Sequence, residues 1–122
     1  MPASARGPAA RTFTEQQLGG PCDEYDSNPV CQVTATVLAQ GNGDRVGLII
    51  MNLGANTVYV SLNPNPSATN GIMLPPNGGV IGMSVRDDFT LPSRQWNGIA
   101  LVGVSQMYIL EVVRSIYTPG GE

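Results

Sequence analysis

The sequence has no lysine and no histidine, and charged residues make up only 12% of its 122 positions. Without histidine there is no Ser-His-Asp or Cys-His catalytic site and no imidazole metal ligand. Without lysine there is no phosphate-binding P-loop, no Schiff base and no lysine-built basic patch. Six arginines against nine carboxylates leave a net charge of −3, and the arginines are scattered along the chain, so nucleic-acid binding is not expected. Aromatics are also scarce, at 6%. No uninterrupted apolar run approaches the roughly 18 residues of a membrane span, and the N-terminus lacks the apolar core of a signal peptide, so no membrane partner is expected. These absences imply a neutral-surfaced soluble protein of one domain and argue against an enzyme or a resident cofactor.

Two cysteines, Cys22 and Cys31, are too few for a zinc site and are not spaced as C-x-x-C. They either close a short loop as one disulfide, worth about 2–3 kcal/mol, or stay reduced in a protein made in a cytoplasm.

What is abundant is turn chemistry: 15 glycines and 10 prolines among 42% apolar residues. Residues 1–30 carry six of the fifteen charges and no hydrophobic period, and read as an extended N-terminal arm. From Cys31 onward, short β-type runs alternate with turns. Cys31–Leu38 and Thr57–Leu62 alternate apolar with polar; Arg45–Met51, Gly71–Leu74, Gly79–Val85, Ile99–Val104 and Met107–Val113 are apolar runs too short for helices, and Phe89–Leu91 is a brief candidate. Asn-Gly pairs at 42–43, 70–71, 77–78 and 97–98 suit the positive φ angles of hairpin turns. The expectation is an all-β fold: an antiparallel β-sandwich or barrel of seven to eight short strands over residues 31–116, with a loose tail at 117–122. A weak echo between Gly47–Leu62 and Gly98–Val113 suggests two core hairpins.

Little in the sequence carries chemistry. Gly41-Asn-Gly-Asp-Arg-Val-Gly47 is one residue off the dinucleotide fingerprint and leads into a strand-like run, so a turn is the better reading. Asp23, Glu24 and Asp26 lack the pattern of a calcium loop, and Asp87-Asp88 read as turn formers, although Glu111 is a formal acid–base partner for them. Arg45 opens one apolar run and Glu111 lies inside another. A charge in such a strand must be exposed or paired, so either the two strands are neighbours and these side chains meet, or Glu111 faces water. Trp96 is a candidate interface anchor, a sugar-stacking platform or a plug over the end of the sandwich.

Three runs are apolar on both faces: 46–51, 99–102 and 107–110. One face serves the internal core; the other requires cover, which points to assembly with partners. Arg45-Val-Gly-Leu-Ile-Ile-Met-Asn52, Thr57-Val-Tyr-Val-Ser61, Ala68-Thr-Asn-Gly-Ile-Met-Leu-Pro75, the run from Gly79 and Tyr108-Ile-Leu-Glu-Val112 resemble the small β-domain proteins of tailed-phage virions, over residues 45–113. That resemblance implies a non-enzymatic virion component made in the host cytoplasm. Its nearest type is a capsid decoration (cement) protein, a homo-oligomer (trimer) whose arm grips the major capsid protein. The residues expected to contact partners are then Arg6, Arg11, Phe13 and Leu18 of the arm, with Trp96. A low-copy head-tail connector or tail component and a carbohydrate-binding module built on Trp96 and the Asn63–Asn70 loop are the rival readings.

Overall fold

A computed structural model describes residues 22–115. It contains nine strands: β1 (Cys22–Ser27), β2 (Val30–Cys31), β3 (Thr36–Ala39), β4 (Arg45–Asn52), β5 (Val58–Ser61), β6 (Ile72–Leu74), β7 (Gly79–Ser84), β8 (Trp96–Ala100) and β9 (Ser105–Arg114). One helical turn, α1 (Val85–Asp88), and a 3₁₀ turn (Leu91–Ser93) lie between β7 and β8. The strands form two antiparallel sheets. One runs β1-β9-β4-β7, with β2 also paired to β9; the other runs β3-β8-β5-β6. After β2 the chain changes sheet at every connection except β5 to β6. This path is that of a jelly roll, an all-β sandwich.

Side-chain alternation assembles the core. Val46, Leu48 and Ile50 of β4 and Met107 and Ile109 of β9 are at most 1% exposed. Leu48, Ile50, Met107 and Ile109 form one cluster with Leu38, Val58, Val60, Leu74, Trp96 and Ala100 from the second sheet. Gly98 gives close approach at the centre of β8: a Cβ there would stand 2.7 Å from Leu38 Cδ1 and 3.1 Å from Cys31 Sγ, so the Leu38 side chain would have to shift.

Several boundaries differ from the sequence expectation. Residues 22–30, expected within the arm, supply β1 and, with Cys31, β2; both pair with β9, from Cys22 opposite Arg114 to Cys31 opposite Ser105. An edge strand needs backbone partners more than buried side chains, so Asp23-Glu24-Tyr25-Asp26 shows no hydrophobic period. The rest of the expected arm and the tail lie outside the described residues. The run from Cys31 is broken at 32–35, where the Thr36 hydroxyl accepts from Gln32 N and donates to Thr34 O, closing a bend. Asn97-Gly98 is inside β8, and the Asn-Gly pairs at 42–43 and 77–78 join strands of different sheets. Asn77 and Gly78 do adopt positive φ, 62° and 120°. The echoing segments are likewise sheet-to-sheet crossings, not hairpins. Arg86-Asp87-Asp88 lies within α1, capped by Ser84, and Phe89–Leu91 is no strand. The run 99–104 leaves its sheet at Ala100, where Leu101 N instead donates to Thr57 O and Gly103 turns the chain at φ 68°.

The register also decides the cysteine question. Cys22 and Cys31 face opposite ends of the ten-residue strand β9, nine steps from Arg114 to Ser105 and roughly 30 Å at the strand rise. A disulfide needs Cα atoms within about 7 Å, so Cys22 and Cys31 are not bonded to each other.

Candidate functional site

A β-bulge opposes Arg45 and Gly47 to the consecutive residues Val113 and Val112, which turns Arg45 and Val46 both to the buried side. Arg45 is 2% exposed. Its Nη1 donates to Glu111 Oε1 at 2.6 Å, its Nε to Pro92 O at 2.6 Å, and its Nη2 to Gln40 O at 2.7 Å and Arg94 O at 2.8 Å. Arg45 and Glu111 therefore meet, on adjacent strands. The guanidinium also ties the β3–β4 turn and the 3₁₀ turn to the sheet, using its planar fork on four acceptors. Glu111 is partly exposed at the floor of a cleft of about 440 Å³, whose walls include Asp23, Tyr25, Asp44 and Arg114. The arrangement is structural: Glu111 is committed to Arg45, while Asp87 and Asp88 bond to Ser84. Among the described residues no cluster of three or more His, Cys, Asp or Glu is placed to share a metal ion.

Trp96 corrects the expectation of a partner-binding residue. It is 3% exposed, sits in the core cluster and donates from Nε1 to Leu91 O at 2.9 Å. A ring so enclosed offers no face to a sugar or a neighbouring protein. It borders a depression near Thr69 and Asn70, but the Asn70 amide is spent on Ser67 N and Asn65 O. Arg6, Arg11, Phe13 and Leu18 lie outside the described residues.

The remaining candidates are surfaces. Cross-strand partners share a face, so three rows form the outer side of the larger sheet: Tyr108–Met51–Val80, Leu110–Ile49–Gly82 and Val112–Gly47–Ser84. Val80 and Ile49 are exposed, the other large side chains half-buried. Apart from Ser84 and the Tyr108 hydroxyl, this strip is apolar. It is bordered on β1 by Glu24 and Asp26, opposite Val112 and Leu110. The Tyr108 hydroxyl donates to Asp26 Oδ2, and partial desolvation, then that carboxylate, push its pKa up.

The sandwich is also polarised end to end, which sequence reasoning missed. All charged residues from 22 to 115 fall in 23–26, 44–45, 86–94 and 111–114. Arg114 N donates to Asp44 O, and Arg45 reaches Arg94 O and Glu111, so these segments converge towards one end. At the other end Leu53 N donates to Gln106 O, Asn56 Nδ2 to Val104 O, Ala100 N to Gln32 O and Asn77 N to Gly54 O. The loops joined there hold no charged residue. They expose Val33, Leu53, Leu101, Val102 and Val104, with Val102 at 71%. The long charge-free stretches 46–85 and 95–110 were visible signals; that their loops gather at one end needed the topology.

No family model and no curated protein matches the sequence. Among solved structures, the chain is similar to dTDP-4-dehydrorhamnose 3,5-epimerase from Bacillus anthracis str. Ames, with 16% identity, a TM-score of 0.47 and coverage of 90% of this chain. It is similar to a chain of the disulfide-linked pili that form Bacillus endospore appendages (17% identity, TM-score 0.39), covering 77% of this chain and 88% of that one. It is also similar to RmlC from Streptococcus suis (13% identity, TM-score 0.42), covering 97% of this chain. The chain spans 63% of the length of the B. anthracis epimerase and 54% of that of the S. suis protein.

Proposed function

We propose that this chain is a non-enzymatic structural subunit of a tailed-phage virion that binds the assembled capsid shell and stabilises it. The observation that carries this reading is the outer strip of β9, β4 and β7, a neutral apolar sheet face of the kind that needs a partner's cover. The sequence resemblance over residues 45–113 supports it. The jelly roll also builds many viral capsid proteins, an analogy at the level of fold only.

The mechanism is mass action. A protein that binds the closed lattice and not its disrupted form stabilises the lattice in proportion to its occupancy. Residues 1–21, with Arg6, Arg11, Phe13 and Leu18, add contacts to the major capsid protein at an ordering cost. Copies cluster around a symmetry axis, in threes on a capsid.

The test is the copy number of this chain in purified particles of the phage that encodes it, by quantitative mass spectrometry. Hundreds of copies per particle are expected. A dozen would move the chain to the connector or tail, and none would end the virion reading.

A further inference from the structure

We infer that the uncharged end of the sandwich, presented by Leu53, Leu101, Val102 and Val104, is where a second copy of this chain docks. This assigns a surface to the clustering proposed above but requires no shell.

Charge selects the orientation. The described residues carry four arginines and seven carboxylates, all away from this end. Two copies meeting charged end to charged end bring like net charges together. Meeting at the uncharged end, they bury apolar side chains and leave no ion unpaired. The four side chains are between 45% and 71% exposed and lie on two loops clamped to the sheets by backbone and Asn56 hydrogen bonds. Docking there therefore orders little that is not already ordered.

The position of the chain ends argues against cover from within. Cys22 and Ser115 both join the described fold at the Arg114 end of β9. The uncharged end lies about 30 Å away along that strand. Residues 116–122 span at most about 25 Å when fully extended, short of that distance. The 21 residues before Cys22 are long enough, and they are the competing occupant.

The experiment is sedimentation velocity on the purified full chain over a rising concentration series, without any virion protein. Wild type is expected to reach at least twice the monomer mass. Val102→Asp and, on the other loop, Leu53→Asp should each return it to the monomer with an unchanged far-UV spectrum. Val80→Asp, on the outer sheet face, should leave the oligomer intact. Deleting residues 1–21 should also leave it intact. A monomeric wild type overturns the inference, as does an oligomer that survives both loop substitutions. So does an oligomer that forms only after the deletion, which would make the arm the native cover. None of these outcomes changes the copy number per particle, so the two proposals fail separately.

Discussion

Replacing Arg45 with methionine keeps an unbranched apolar stem and deletes the guanidinium with its five donors. Four acceptors lose their partner: the carbonyls of Gln40, Pro92 and Arg94 and the carboxylate of Glu111. A hydrogen bond from a charged donor is worth about 1.5–3 kcal/mol, but simple addition over three carbonyls overstates the loss, since the outer ones regain water. Glu111 is 26% exposed, so solvent screens its share and the ion pair is the smaller part. Breaking a buried charge network by removing one partner costs about 3–5 kcal/mol, and the Arg45→Met change is expected at about 4. For a domain near 100 residues that is a loss of roughly 15–30 °C in Tm. Arg45→Lys should recover only part of it, because a single ammonium cannot span four acceptors on three chain segments. Glu111→Gln, which keeps an acceptor, should cost no more than about 1–2 kcal/mol. Thermal and urea unfolding followed by circular dichroism read all three. A loss below about 1 kcal/mol for Arg45→Met would refute the account of Arg45 as the tie between the sheet and its flanking turns.

The packing dictates five further outcomes. Burial raises the Cys31 pKa from 9.0 to about 11, so its thiolate fraction at pH 8 falls about 100-fold and alkylation should require unfolding; non-reducing mass spectrometry should find no intramolecular disulfide. Because the folded state holds that proton where the unfolded state releases it, stability should fall as pH rises from about 9 towards 11, and Cys31→Ala should remove that component of the slope in pH-dependent unfolding. Trp96→Ala should cost about 3–5 kcal/mol, and the intrinsic fluorescence of wild type, from its single tryptophan, should shift to the red only on global unfolding. Phe89, 82% exposed at φ 58° and ψ −124°, packs little and strains the backbone, so Phe89→Gly should raise stability by about 1 kcal/mol. Gly98→Ala should destabilise by about 1–3 kcal/mol as its methyl group drives into Leu38, measured by the same unfolding curves.

The all-β class was legible because the strands obey a period of two wherever one face is buried, as along Val46, Leu48 and Ile50. The Arg45–Glu111 meeting was one of two outcomes the sequence left open, since a charge beside or within an apolar run requires either water or a partner. What the sequence concealed has physical reasons. The strand Cys22–Ser27 is held by its backbone at a sheet edge, and its exposed side chains leave no hydrophobic trace. Asn97-Gly98 carries the local signal of a turn, yet tertiary packing overrides it, because glycine lets β8 approach Leu38 and Cys31 closely. The sequence left Trp96 as an interface anchor, a sugar platform or a plug over the sandwich end, because aromatic scarcity is silent on direction; the 3₁₀ turn supplies the carbonyl that lets the indole be buried. The uncharged end depended on loops far apart in sequence meeting in space.

The pairing of β1 with β9 has a consequence for synthesis. Ser27 lies opposite Ile109, 82 residues later, and Cys22 opposite Arg114. At about 5–20 residues per second, the first strand leaves the ribosome roughly 4–16 s before the strand that must receive it. Throughout that interval β4 also lacks its central neighbour, and its apolar rows stand open. The smaller sheet has the same delay on a shorter scale, since β5 can pair at once with β6 but β3 must wait for β8. A nascent chain wired this way completes neither sheet until its last strands emerge.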